Sequence, residues 1–270
     1  VDSLIERMDN ITCDNFEIDQ STLPAPIFIF GPPRTGTTLL EKCVSSLADV
    51  EAVGEHMDFR KELELQTNLR ITSPLDIVIR PFENQLDFPL LGKKYLDKTA
   101  WRANGRPYYT DKENSNFAYI GFIAKAIPCS RIIHIRRNPM DAFFSGYKQL
   151  FAPGAYKASY SLTDWEVYYR NYERVVAYWR NTLGSRMLEI RYEDLVLNNA
   201  RTTEIIREYC KFEADLTDAG SKTYKAATLS AAQVLKPIHS GNINAWAKYS
   251  DYLQPLRTAL DKEYTEYMSG

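Results

Sequence analysis

The sequence has little from which to build a covalent or metal scaffold. Its 270 residues include four cysteines and three histidines. Cys13, Cys43, Cys129 and Cys210 lie far apart and form no CxxC pair. That excludes a zinc ribbon and a disulfide framework, and predicts reduced thiols in a cytosolic setting. No run of about eighteen apolar residues occurs, so no segment reads as a membrane span. The polar opening, VDSLIERMDNITCDNFEIDQ, is no signal peptide. It starts on Val1 rather than Met, which leaves an upstream targeting segment or domain open. An excess of one charge is also missing: 33 basic residues face 35 acidic ones, for a net charge of −2. This argues against a general binder of nucleic-acid polymers or membrane surfaces, so an anion site must be built locally.

What is present is ordinary globular composition, 44% hydrophobic and 25% charged. The length is ample for a core without metal or disulfide support. One domain over 1–270 is expected, with a leading segment at 1–25 and a C-terminal tail at 247–270. Pro26–Phe30, PIFIF, is apolar on consecutive residues and predicts a strand buried on both faces, as in a parallel sheet. Leu39, Leu40, Cys43, Val44 and Leu47 then follow helical spacing. Residues 57–103 read as helical, broken at Pro74, Pro81 and Pro89. Tyr108–Asp111 reads as a weak strand and Phe117–Ile127 as an amphipathic helix. RIIHIR at 131–136 and MLEIR at 187–191 predict further strands. Asn138-Pro139 opens a helix, as do Ser161 and Ala200. The aromatic stripe of the 161–182 helix (Trp165, Tyr168, Tyr169, Tyr172, Tyr178 and Trp179) reads as core. The tail from Lys211 reads as loop-rich. Alternating strands and helices predict an α/β fold with a parallel sheet covered on both faces.

Between the first strand and helix lies Gly31–Thr38, GPPRTGTT. Its glycines match a Walker A phosphate loop, but Thr37 stands where that pattern has lysine. Backbone N–H groups of such a loop at a helix N-terminus hold anionic oxygens. Arg34 inside the loop is the natural replacement for the lost charge. No strand ends in an obvious Walker B carboxylate, which a metal-dependent kinase needs. RIIHIRRNP instead delivers Arg136 and Arg137 to the carboxyl edge of the sheet, where ligands bind in such folds. Two cationic sites predict one ligand with two separated anionic groups. A P-loop kinase with a degenerate lysine and a non-catalytic nucleotide-binding module are the competing readings.

FIFGPPRTGTTLLE and RIIHIRRNPMDAFFSGYKQLF resemble the 5′-phosphosulfate loop and 3′-phosphate segment of the PAPS-dependent sulfotransferases. The branch most similar is the tyrosylprotein sulfotransferase-like one, found in bacteria behind tetratricopeptide repeats. The resemblance continues through TDKENSNFAYIGFIAKAIPCSRIIHIRR, YYRNYERVVAYWR, MLEIRYEDLV and QVLKPIHSGNINAW, in order, over 26–246. It implies a three-layer α/β/α fold with a mostly parallel sheet. It also implies PAPS as donor, adenosine 3′,5′-bisphosphate as product, and no metal. Arg34, Thr35, Gly36, Thr37 and Thr38 would form the phosphosulfate cradle, and Arg137 and Ser145 would hold the 3′-phosphate. Glu55, in VGEHMDF, falls on the general-base position, and Lys112, in TDKEN, on the catalytic lysine. Tyr192 and Ser230 match cofactor-contacting positions, and Ser230 is counted with the catalytic group. Ala245 departs from the family, which has Lys or Arg before the tryptophan; Lys248 and Lys236 are candidate substitutes. The implied partner is a hydroxyl-bearing acceptor (a peptide tyrosine, carbohydrate, lipid or small metabolite), with walls expected from 57–107 and 150–160. A cytoplasmic, bacterial protein is expected, with a homodimer left open.

Read from the residues alone, Glu55 could equally sit in the first turn of a helix starting near Met57, where acids complement the dipole. His56 is the fallback base. His134 reads as a satisfied buried histidine, His239 as a loop residue near the cofactor edge, and Lys98 as surface.

Overall fold

The computed structural model describes residues 18–47, 49–71, 86–152, 154–212 and 239–269. Strand β1 spans Ala25–Phe30, and every residue in it is buried. Successive strand residues point to opposite faces, so an unbroken apolar run needs cover on both sides. Ile27 and Ile29 enter one core, and Phe28 and Phe30 enter the other.

Around β1 lie β2 (Val50–Glu51), β3 (Tyr108–Lys112), β4 (Arg131–Arg136) and β5 (Met187–Arg191). Their order is β2-β3-β1-β4-β5, and every neighbouring pair is parallel. Ile29 is level with Lys112, and Phe30 with His134. The carboxyl ends of β3, β1 and β4 therefore open along one edge.

Parallel strands need long crossovers, and helices fill them. These are α1 (Thr37–Leu47), α2 (Asp58–Thr67), α3 (Phe88–Thr99), α4 (Ile120–Ala126), α5 (Pro139–Tyr147), α6 (Leu162–Leu183), α7 (Tyr192–Leu197) and α8 (Asn199–Cys210). On one face, Leu40 and Val44 of α1, Leu195 of α7 and Ile206 of α8 cover Ile27, Ile29, Ile133 and Ile135. On the other, Leu63 of α2, Tyr95 of α3, Ile123 of α4 and Val176 and Trp179 of α6 cover Phe28, Phe30 and Ile132. The result is the three-layer α/β/α arrangement.

Two helix starts form as their sequences predict. The Asn138 side chain accepts from the N–H groups of Met140 and Asp141, and Ser161 Oγ accepts from Asp164 N–H. Such caps satisfy donors that have no partner inside the helix. The expectation of a loop-rich tail is corrected. Its described C-terminal part carries α9 (Ser250–Ala259) and α10 (Asp261–Ser269). Leu253, Leu256 and Leu260 pack on Met140, Phe143 and Trp165. Pro255, a residue that normally disrupts a helix interior, sits inside α9 and hides this helical spacing. No helix among the described residues is long and apolar enough to cross a membrane.

Candidate active site

The loop after β1 folds into a compact cradle. Thr35 donates its N–H (3.3 Å) and its hydroxyl (2.7 Å) to Pro32 O, so both groups shape the turn. Arg34 adopts φ 69° and Gly36 φ 104°. A Cβ at Gly36 would lie 2.6 Å from the Tyr192 ring, so only glycine lets α7 approach the loop this closely. Thr37 and Thr38 occupy the buried first turn of α1, where the helix N-terminus favours negative charge.

Arg137 ties this loop to the sheet edge. It is 5% exposed and donates to Arg34 O (2.8 Å) and Asn242 O (2.6 Å). Its guanidinium lies over the Tyr192 ring at 4.4 Å. Its buried Nε has no hydrogen-bond partner. Arg34 Nε donates to Ser145 Oγ at 3.3 Å, which joins the cradle to α5. Burial and the neighbouring Arg137 charge together lower the Arg34 pKa. Burial, then Arg137 and Arg34, do the same for Lys148. Burial and like charge lower both Arg34 and Lys148, which marks a place suited to anionic charge. Asp141 on α5 fixes the far wall by accepting from the N–H groups of Asn244 (2.6 Å) and Trp246 (3.1 Å).

A second group lies at the neighbouring strand end. Lys112 is fully buried, and its Nζ donates to Glu55 Oε1 at 2.8 Å; Glu55 is 47% exposed. The Glu55 loop is pinned from two sides. Lys112 N–H donates to Gly54 O (3.0 Å), and Gly54 N–H donates to Glu41 Oε1 (2.9 Å). The same Glu41 oxygen accepts from Thr110 Oγ1 (2.6 Å), which in turn accepts from Val53 N–H (2.9 Å). Glu41 is buried on α1, so the cradle helix also braces the loop that carries Glu55.

The structure thus gathers Arg34, Thr35, Gly36, Thr37, Thr38, Arg137, Ser145 and Tyr192 into one cluster, and sets Glu55 and Lys112 beside it on the same edge. Ser230 and Lys236 lie outside the described residues. Arg136 does not join the site. It pairs with Glu173 (3.6 Å) and Glu189 (3.2 Å), partners on α6 and β5 that sequence spacing does not reveal. Glu55 precedes α2 instead of sitting in its first turn, so the dipole role does not apply. His56 is tied down: its Nε2 donates to Val53 O at 2.9 Å. His134 is fully buried and bonded to Glu189 (2.9 Å) and the Tyr172 hydroxyl (2.7 Å), as a satisfied core histidine should be. Lys98 pairs with Glu62 at 2.7 Å and is 41% exposed. Glu41 and Lys148 were missed from sequence. Lys148 sits one turn past Ser145, and that spacing was the available signal.

Beside the cradle opens a cavity of about 310 Å³ that runs from Pro33 past Asn114 and Phe117 to Tyr156 and Tyr168. It draws on the expected 150–160 segment and not on 57–107.

A parallel sheet with a lysine-free phosphate loop, a buried arginine and a Lys–Glu pair on one edge is a P-loop-like arrangement suited to an anionic ligand. The sulfotransferase family model matches residues 26–216. The chain belongs to the sulfotransferase family. It is 30% identical over 256 residues to a protein of Aquifex aeolicus (strain VF5), covering 88% of this chain and 32% of that one. The chain thus spans about a third of the length of that relative. In fold it is similar to the sulfotransferase domain of the Synechococcus PCC 7002 olefin synthase (TM-score 0.54, 18% identity, 87% of this chain and 91% of that one). It is also similar to the sulfotransferase domain of the curacin biosynthetic pathway (TM-score 0.52, 15% identity, 89% and 99%).

Proposed function

We propose that the protein moves the sulfuryl group of PAPS to a hydroxyl or phenol acceptor and releases adenosine 3′,5′-bisphosphate. The observation that carries this reading is the buried Lys112 holding a half-exposed Glu55 carboxylate beside a cationic loop that lacks the Walker lysine. The residues present fit a bisphosphate nucleotide. Arg137 keeps a buried Nε without a hydrogen-bond partner. Besides burial, the Arg137 charge lowers the pKa of Arg34, and the Arg137 and Arg34 charges lower that of Lys148.

The loop amides, Thr37, Thr38 and Arg34 would hold the 5′ end, and Arg137 and Ser145 the 3′-phosphate. When bound, PAPS supplies a sulfuryl group whose bond to the 5′-phosphate oxygen breaks, with its electron pair, as a bond to the acceptor oxygen forms. Glu55 takes the acceptor proton, and its exposure leaves it free to meet substrate. Lys112 and Arg34 stabilise the charge that grows on phosphate oxygen, from a framework fixed before reaction. Lys112 also fixes the Glu55 carboxylate until the acceptor arrives.

The test is transfer from radiolabelled PAPS to a panel of acceptors, with parent and Glu55→Gln proteins. Turnover should fall by about a hundredfold or more, within the range ascribed to general-base catalysis. The affinity for adenosine 3′,5′-bisphosphate should stay within twofold. Equal loss of both would give Glu55 a structural role, and saturable Mg²⁺-dependent ATP binding would restore the kinase reading.

A further inference from the structure

Arg137 and Tyr192 lie just past the end of the β4–β5 ladder, whose last paired residues are Arg136 and Arg191. One residue further on, the Arg137 guanidinium stands over the Tyr192 ring at 4.4 Å. One further still, Glu193 Oε1 accepts from Asn138 N–H at 3.2 Å. The two chain segments therefore stay matched for two residues beyond the strands, held by side chains where backbone pairing has ended.

Tyr267 of α10 joins both ends of this extension. The Arg136 and Arg191 guanidiniums lie 5.4 Å and 4.6 Å from the centre of its ring, so one ring serves both residues of the last rung. Its hydroxyl donates to Glu193 Oε2, on the same carboxylate that holds Asn138 N–H. Asn138 Nδ2 also donates to Sδ of Met268, the next residue of α10, at 3.8 Å. Tyr267 is the buried residue of α10 and is 2% exposed. Burial, then the Glu193 charge and hydrogen bond, hold its phenol well above the ordinary pKa, so it stays protonated and donates. The helix has other anchors. Glu263 pairs with Arg170 of α6 at 3.6 Å, and Tyr264 meets Trp246 edge-on at 6.1 Å. An anchor needs the Tyr267 ring alone; the bond from its hydroxyl to Glu193 is what ties it to the strand ends.

We propose that Tyr267 is a positioning residue for the nucleotide site, acting through Glu193 and the Arg136–Arg191 rung to hold Arg137 against Tyr192. The role rests on the sulfuryl-transfer reading, in which Arg137 meets the 3′-phosphate. Arg137 also donates to Arg34 O, so a shift of this strand end reaches the phosphate loop. Arg136, neutralised and outside the site, thereby contributes to the placement of its neighbour.

Calorimetry on the full chain compares adenosine 3′,5′-bisphosphate with adenosine 5′-monophosphate. Heteronuclear NMR of the ligand-free protein follows the Arg137 Nε–H resonance, assigned by its loss in Arg137→Lys. Tyr267→Phe keeps the ring and should lower the preference for the bisphosphate at least about fivefold, the low end of couplings between sites. The Arg137 resonance should shift in the same variant. Glu193→Ala removes both bonds and should have both effects. Adding Tyr267→Phe to Glu193→Ala should change the preference by no more than about twofold, because residues that act along one route are not additive. Glu193→Gln keeps an acceptor for Asn138 N–H and should fall between the parent and Glu193→Ala. An Arg137 resonance that stays put in Tyr267→Phe and Glu193→Ala overturns the inference. So does a parent preference that both variants retain, since Tyr267 would then only anchor α10. If the resonance moves in both variants but the parent has no preference for the bisphosphate, the sulfuryl-transfer reading fails and the positioning role stands.

Discussion

Removal of the Glu41 carboxylate should disable turnover from a position that touches no substrate. One buried oxygen of Glu41 accepts from Gly54 N–H at 2.9 Å and from Thr110 Oγ1 at 2.6 Å. Hydrogen bonds to a charged group contribute about 1.5–3 kcal/mol each, so Glu41→Ala should lose about 3–6 kcal/mol of unfolding free energy. That is a large share of the roughly 5–15 kcal/mol that stabilises a domain, so the measurement belongs at low temperature with the folded fraction determined. Glu41→Gln keeps an accepting oxygen and should lose only about 1 kcal/mol. The kinetic effect follows from geometry. Gly54 immediately precedes Glu55, and a displacement of about 1 Å at a catalytic group costs about a hundredfold in rate. We therefore expect kcat per folded molecule to fall about a hundredfold in Glu41→Ala and only a few-fold in Glu41→Gln. Affinity for adenosine 3′,5′-bisphosphate should be nearly constant in both. Urea unfolding, calorimetric binding and labelled-PAPS turnover give the three numbers. If Glu41→Ala is destabilised as stated but turns over within twofold of the parent, the brace does not position Glu55 and the reasoning is wrong.

Three further outcomes are expected. Gly36→Ala combines a left-handed backbone, about 1–2 kcal/mol for a side-chain-bearing residue, with a Cβ 2.6 Å from the Tyr192 ring. Affinity for adenosine 3′,5′-bisphosphate should drop at least tenfold by calorimetry, and an unchanged Kd would separate the loop from the ligand. Arg137→Ala should abolish the preference for the 3′-phosphorylated nucleotide over its dephosphorylated form in competition binding; a preserved preference refutes its role. Glu189 supplies the pH-dependent case. Burial alone would raise its pKa, but the His134 hydrogen bond and the charges of His134 and Arg136, with an Arg180 hydrogen bond, outweigh this and hold it well below the ordinary value of 4.5. Its contribution is therefore complete above about pH 4.5 and is lost as the pH falls further toward the folded-state pKa. The unfolding free-energy gap between parent and Glu189→Gln should narrow with acidification below that point, and a gap independent of pH would count against the pairing.

The features legible in the sequence were those whose cause is local. PIFIF announces a doubly covered strand because its apolar residues do not alternate, and GPPRTGTT announces a cradle because glycine spacing and a following helix suffice. Asn138 and Ser161 could be recognised as caps for the same reason. What stayed hidden depends on residues brought together from far apart in the chain. Arg136 has the same local setting as Arg137, and only Glu173 and Glu189 decide that it is neutralised. Glu41 reads as one more acid on a helix until β3 and the Gly54 turn arrive beside it. Tyr168 fits the helical stripe, yet the packing of the 156–159 segment leaves it at a cavity. Helices α9 and α10 were obscured by Pro255, whose tolerance depends on the core that Leu253 and Leu256 enter.

The bond from Arg137 to the carbonyl of Arg34 has a thermodynamic consequence. One guanidinium sets the backbone of the residue that carries the other, so on the proposed function the two ends of a bisphosphate ligand would be read by parts that cannot move separately. Their contributions to binding should not sum. A double-mutant cycle on Arg34 and Arg137 should return a coupling energy of about 0.5–3 kcal/mol, the range found for residues in direct contact. Trimming the ligand at its 3′ end should then weaken the grip on its 5′ end as well.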